Sequence, residues 1–156
     1  MSRFESLARD KMTVIDKLLS SQEILKALAH NDSDFLDKKD IDPLTMMYKH
    51  IFPYKFVPKT SEEKKTYITM TFGNYRKVGN SYKSGFITFN VFTHQDLFRT
   101  DYGTLRTDYI TIKLDELFND FDGLGVGKAN FHTMDHLSVN TDYHGSYVVY
   151  KTYDFN

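Results

Sequence analysis

Between Ile87 and Phe121 the spacing of apolar residues changes from every second position to every third or fourth. Ile87, Phe89 and Val91 alternate with polar or opposite-facing residues, which predicts a strand over Phe86 to Thr93. Ile110, Leu114, Leu117 and Phe121 then follow at helical spacing, which predicts an amphipathic helix opened by Arg106 and Asp108. Asp101 or Thr104 is placed to cap its start, and Gly123 to end it at the position after the C-cap.

The same reading extends in both directions. Leu7, Met12, Ile15, Leu18 and Leu19 predict a first helix over about Phe4 to Leu19. Ser21 is placed to cap a short second one with Ile24, Leu25 and Leu28 on its apolar side. The acidic, polar run from Asn31 to Asp42 reads as a connector. It lacks the glycine and the terminal glutamate of an EF-hand loop. Asp42-Pro43 predicts a brief helical turn with proline at its first position. Pro53 to Pro58 then reads as padding ahead of the sheet.

Ile68, Met70 and Phe72 alternate with Tyr67, Thr69 and Thr71, predicting another strand. Asn74 to Ser84 reads as a long hairpin tip carrying Tyr75, Arg76, Lys77, Tyr82 and Lys83. Ala129 to Val139, with Phe131 and Leu137 on one side, and Tyr143 to Phe155 complete the pattern as two further strands. The expectation is an α+β fold: an antiparallel four-stranded sheet packed by N-terminal helices and by one central helix between strands 2 and 3. The chain reads as one domain over 1–156, with a helical N-terminus over 1–30, a connector over 31–60 and a sheet-plus-helix core over 65–156.

Composition narrows the function. Twenty basic and 21 acidic residues leave a net charge of −1, so no bulk attraction to nucleic acid is encoded. The hairpin, both basic and aromatic, is the one place with a footing for such a contact. There is no cysteine, which removes disulfide, thiolate-zinc and thiol redox chemistry. No run approaches the length of a membrane span and the N-terminus lacks a signal core, so a soluble chain is expected. Gly123-Leu-Gly-Val-Gly-Lys128 fails as a phosphate loop: Asp122 stands where the first glycine belongs, and Ala129 where Ser or Thr belongs. His132 and His136 are placed on one strand face, within reach of a shared ion only with help from His144 across a turn. No nucleophile elbow is present. The pattern predicts no enzyme, metal or cofactor.

Several words along the chain are distinctive. They are Lys49-His-Ile-Phe-Pro53, Tyr67-Ile-Thr-Met70, Ile87-Thr-Phe-Asn-Val-Phe-Thr-His94, Arg106-Thr-Asp-Tyr-Ile110 leading to Leu117-Phe118, Tyr143-His-Gly-Ser-Tyr147, and Tyr153-Asp-Phe155. In these words and their order, the chain resembles the neck proteins of tailed bacteriophages, in particular the tail terminator or head–tail joining group, from about Leu18 onward. The resemblance implies a structural virion protein that forms a ring, commonly a hexamer, at the head-proximal end of the tail tube. Its implied partners are further copies of itself, the tail tube protein and the head connector or stopper protein. Phage DNA would pass through without sequence-specific binding, and no membrane is involved. The implied location is the virion neck, with the host cytoplasm during assembly. Under this reading Tyr75, Arg76, Lys77, Tyr82 and Lys83 form an assembly or lumen hairpin, and Phe86 and Phe92 a subunit-contact face. Head completion or stopper proteins are alternatives within the neck. A small metal- or ligand-binding domain built on His132, His136 and His144 is the alternative outside it.

Overall fold

The computed structural model describes residues 4–60 and 63–155, the side chain of Phe155 excepted. Two N-terminal helices, α1 (Phe4–Leu19) and α2 (Gln22–Ala29), precede a short strand, β1 (Ile51–Phe52). The long strands β2 (Thr66–Val78) and β3 (Tyr82–His94) follow, then helix α3 (Arg106–Phe118), β4 (Asn130–Ser138) and β5 (Tyr143–Phe155). The strands form one mixed five-stranded sheet in the order β1-β2-β3-β5-β4.

Three features depart from the four-stranded antiparallel expectation. First, β1 joins the edge in parallel with β2, pairing Ile51 with Ile68 and Phe52 with Thr69. Two residues carry no periodicity of their own, and only this pairing makes them a strand. Second, the strands flanking the hairpin run on through Val78 and restart at Tyr82. A two-stranded ribbon therefore occupies most of the span expected to be loop, with a register shift between Gly73 and Arg76. Third, Asp120, at a left-handed φ of 62°, follows the C-cap Asn119 of α3, so Gly123 does not end the helix. At the other end Leu105 is the N-cap residue and makes no side-chain cap. The Thr104 hydroxyl is buried without a partner among the described residues.

Both expected helix caps match, and the stripe of α1 matches in part. Ser21 caps α2, its hydroxyl accepting from the Ile24 N–H at 3.4 Å. Asp42 caps the Pro43–Thr45 turn by accepting from the Leu44 N–H. In α1 the apolar stripe is Leu7, Val14, Ile15 and Leu18, whereas Met12 points to solvent.

All three helices contribute to the core on one face of the sheet. There Val14, Leu18, Ile24, Leu28, Ile110 and Leu114 pack with Ile68, Met70, Phe89, Val91 and Tyr150. A smaller aromatic cluster of Phe52, Tyr67, Phe92 and Tyr143 forms on the opposite face, with Phe56 stacked on Phe52 at 4.0 Å. The Pro53–Pro58 block thus covers part of the sheet it was expected to precede.

His50 joins the β1 edge to β2 by donating from Nδ1 to the Thr66 carbonyl at 2.8 Å. Burial holds its pKa below the usual histidine value. A histidine harder to protonate in the folded state contributes stability that is present above its unfolded pKa of about 6.5 and lost as pH falls through the folded one. Stability measured by urea melts is therefore expected to drop from pH 7 to pH 5. The drop should be shallower in His50→Asn, whose amide can keep the bond to Thr66 without titrating. Parallel pH profiles for the two proteins would remove this role from His50.

Candidate functional site

Arg106 fixes the position of α3. Its side chain is fully buried and every guanidinium N–H donates to a backbone carbonyl. Nε donates to Leu97 at 2.8 Å, Nη1 to Ala27 and His30 at 2.8 Å each, and Nη2 to Asn31 and Asp32 at 3.0 Å each. The guanidinium also lies over the Phe35 ring, 4.9 Å from its centroid. Burial lowers its pKa to about 10, which leaves it charged at neutral pH. One side chain thereby satisfies carbonyls at the C-terminal end of α2 and ties the acidic connector to the start of α3. Farther along α3, Asp115 accepts from the Tyr150 hydroxyl at 2.7 Å, and Glu23 of α2 accepts from Tyr109 at 3.0 Å.

With α3 so placed, a groove of about 480 Å³ opens between it and β4. Ile112 from the helix and Phe131 and Met134 from the strand line it, with Asp108, Asp115 and Glu116 on the helix side. Met134 continues into an adjoining groove with Phe98, Leu105 and His136. Leu105, Ile112, Phe131 and Met134 are each about half exposed, forming an apolar strip along one side of the molecule. β4 is also an outer strand of the sheet, and its nine residues include no Lys, Arg or Pro to blunt that edge. Two of its N–H groups are instead covered by side chains. Asp135 accepts from His136 N–H at 2.7 Å, and Asn119 accepts from Phe131 N–H at 3.2 Å. The surface therefore offers side-chain burial more than strand addition.

One signal for this groove lay in the sequence: Ile112 falls off the helical stripe of Ile110, Leu114, Leu117 and Phe121. The contribution of β4 was hidden by a bulge between Phe131 and Thr133. The extra residue sends Phe131 and Met134 to the helix side, while Leu137 packs with the aromatic cluster on the other. Phe131 and Leu137 were expected on one side and are not. The bulge also parts the histidines. His132 lies against the Phe86 ring at 4.7 Å, whereas His136 lines the grooved side. His144 is engaged locally, with Nδ1 at 3.0 Å from Ser138 Oγ and Nε2 at 2.9 Å from the Thr141 carbonyl. The three-histidine constellation is therefore not assembled, and no group of three or more His, Asp or Glu able to hold a metal ion occurs among the described residues.

The hairpin residues divide into two sets. Tyr75 lies against Gly85, near Asp10 and Asp154, and burial and those carboxylates raise its pKa. Lys83 is only 7% exposed and pairs in register with Asp154, which also accepts from the Ser6 hydroxyl at 2.7 Å. Burial, together with Asp154, likewise raises the pKa of Asp10. These residues anchor the ribbon to α1. Arg76, Lys77 and Tyr82 are exposed at its end, Arg76 bonding to Asn74 at 3.1 Å. Of the phenylalanine pair, Phe92 is buried within the chain against Tyr67 at 5.4 Å, while Phe86 is partly open. The glycine-rich stretch is held on β5, where the Val126 N–H donates to the Tyr153 carbonyl at 2.8 Å. No described helix is long and apolar enough to cross a membrane.

A family model, YomW, matches residues 21–152. The chain belongs to the YomW family. The family's name is phage-derived and suggests a phage protein. No curated protein and no solved structure matches the chain. The YomW match spans both α3, with its Arg106 anchor, and all of β4, so the groove lies inside the family's shared region.

Proposed function

We propose that this YomW-family protein is a structural component of a tailed-phage particle, forming a ring that ends the tail tube and joins it to the head connector. The observation that carries the reading is the apolar groove between α3 and β4, a surface fitted to burying another protein's side chains. The family's phage-derived name and the neck-protein words in the sequence support the setting. Further copies of the chain, most simply six, would make the ring. The tail tube protein and the connector or stopper protein would lie on its two sides. Arg76 and Lys77, exposed at the end of the β2–β3 ribbon, would approach a neighbouring ring or passing DNA and meet phosphates without reading sequence. The assembled protein would reside in the virion neck after joining in the host cytoplasm.

The test is to add the purified protein to polymerising tail tube protein of the same phage and measure tube lengths by electron microscopy. Shorter tubes bearing a ring at one end are expected. Unchanged lengths with the protein in excess, and bare tube ends, would refute the terminator role. Binding to the isolated connector without any effect on tubes would assign it to the stopper level instead.

A further inference from the structure

The grooved side has an apolar counterpart at the other edge of the same sheet. There the turn leading into β1 projects Tyr48, 62% exposed, with Tyr54 beside it at 6.4 Å between ring centroids. Leu44, on the same segment, is also exposed. Tyr48 is held at φ 64°, a left-handed conformation unusual for a bulky residue. Bonds on both sides lock that turn: the Tyr48 N–H donates to the Ile51 carbonyl at 2.8 Å, and the His50 N–H to the Met46 carbonyl at 3.0 Å. The result is a rigid aromatic knob. With β1 at one edge and β4 at the other, knob and groove are separated by the width of the sheet, about 19 Å at the usual strand spacing.

The two surfaces differ in charge as well as shape. Asp108, Asp115 and Glu116 line the groove, with Glu116 paired to Lys113 at 3.2 Å, so the carboxylates outnumber the one cation beside them. At the knob, Lys49 follows Tyr48 and Lys55 follows Tyr54 in the chain, with the Asp42 carboxylate turned onto the Leu44 N–H at 3.1 Å. Groove against groove would bring carboxylates together, and knob against knob would bring lysines together. Knob against groove joins opposite charges around a shared apolar centre. Continuation of the sheet from copy to copy is disfavoured at both edges. Asp135 covers the His136 N–H on β4, and Met47 already bridges Ile51 on β1.

We infer that the Tyr48–Tyr54 knob of one copy docks into the α3–β4 groove of the next, so that copies associate head to tail. The inference rests on the assembly reading for its occupant, a second copy of this chain, and adds which two surfaces meet. Such a contact uses different patches on the two partners, and a constant rotation between successive copies can close it into a ring.

The absence of cysteine gives a clean test. Tyr48→Cys and Ile112→Cys are prepared as single variants and as a double variant, then exposed to a mild oxidant at high protein concentration. Neither single variant should cross-link to itself. Their mixture should give the mixed dimer, and the double variant a ladder of oligomers. Tyr54→Cys with Met134→Cys provides a second pair should replacement of Tyr48 disturb its turn; circular dichroism checks that each variant is folded. Self-cross-linking of the single variants to the same extent as the mixture, or no mixed disulfide from either pair, overturns the docking. Tube capping without a mixed disulfide would sink this contact and leave the ring reading standing. A mixed disulfide without capping would do the reverse.

Discussion

Arg106→Met is expected to lose about 4 kcal/mol or more of folding stability. The apolar replacement fills much of the volume but removes five hydrogen bonds. Carbonyls of Ala27, His30, Asn31, Asp32 and Leu97 lose their shared donor, and each one kept from water costs roughly 1–3 kcal/mol. Arg106→Lys should be nearly as damaging. A single ammonium has three donors on one atom and cannot fan across five carbonyls drawn from α2, the connector and Leu97. Urea melts read the difference, and a fall in melting temperature of about 10 °C or more accompanies it for a chain of this size. A loss under about 1 kcal/mol would mean that water or a repacked connector takes over the carbonyls, and that the anchor is dispensable.

The second large effect is expected at Gly145, in the inner strand β5. Gly145 pairs with Phe92 on one side and Leu137 on the other. A Cβ at this position would run into the Val91 carbonyl oxygen and crowd the Phe92 backbone. Backbone cannot swing aside as a side chain can, so Gly145→Ala must push β3 and β5 apart, at a cost of about 3 kcal/mol. Gly73→Ala is the matched control. Nothing lies within 4 Å of its added Cβ, so its stability should stay within about 0.5 kcal/mol of wild type. Equal melts for the two variants would show that the β3–β5 approach relaxes freely.

These two residues also mark how far the sequence could be read. Ser21, the Asp42-Pro43 turn, α1 and the alternating cores of β2 and β3 follow from local rules, because capping and periodicity act among neighbours in the chain. Arg106 looked like an ordinary opener of a helix. Its role depends on carbonyls more than seventy residues upstream, and no spacing encodes them. The ribbon over Asn74–Ser84 looked like loop because its polar residues do not alternate. Backbone pairing holds it, with Tyr75 and Lys83 turned toward α1 and β5. At the site itself, His132, the one residue of β4 left out of register with β5, reversed the facing of the first part of β4 relative to the rest, scattering the histidines and creating the groove. Two-residue β1 was beyond any pattern, since its strand character comes wholly from β2.

The place of β5 has a consequence for how the chain is made. It lies between β3 and β4, yet a ribosome delivers it after all the other strands and helices of the fold. Until it arrives, β3 has one open edge and β4 has no strand partner at all. The nascent chain must therefore hold Phe131 and Met134 without their β5 neighbours while β2, β3 and the helices gather, and the arrival of β5 closes the sheet in one insertion. A stalled or clipped chain ending near Asn140 would be left with β4 unpaired and β3 open along one edge, which is the kind of product that chaperones and proteases remove.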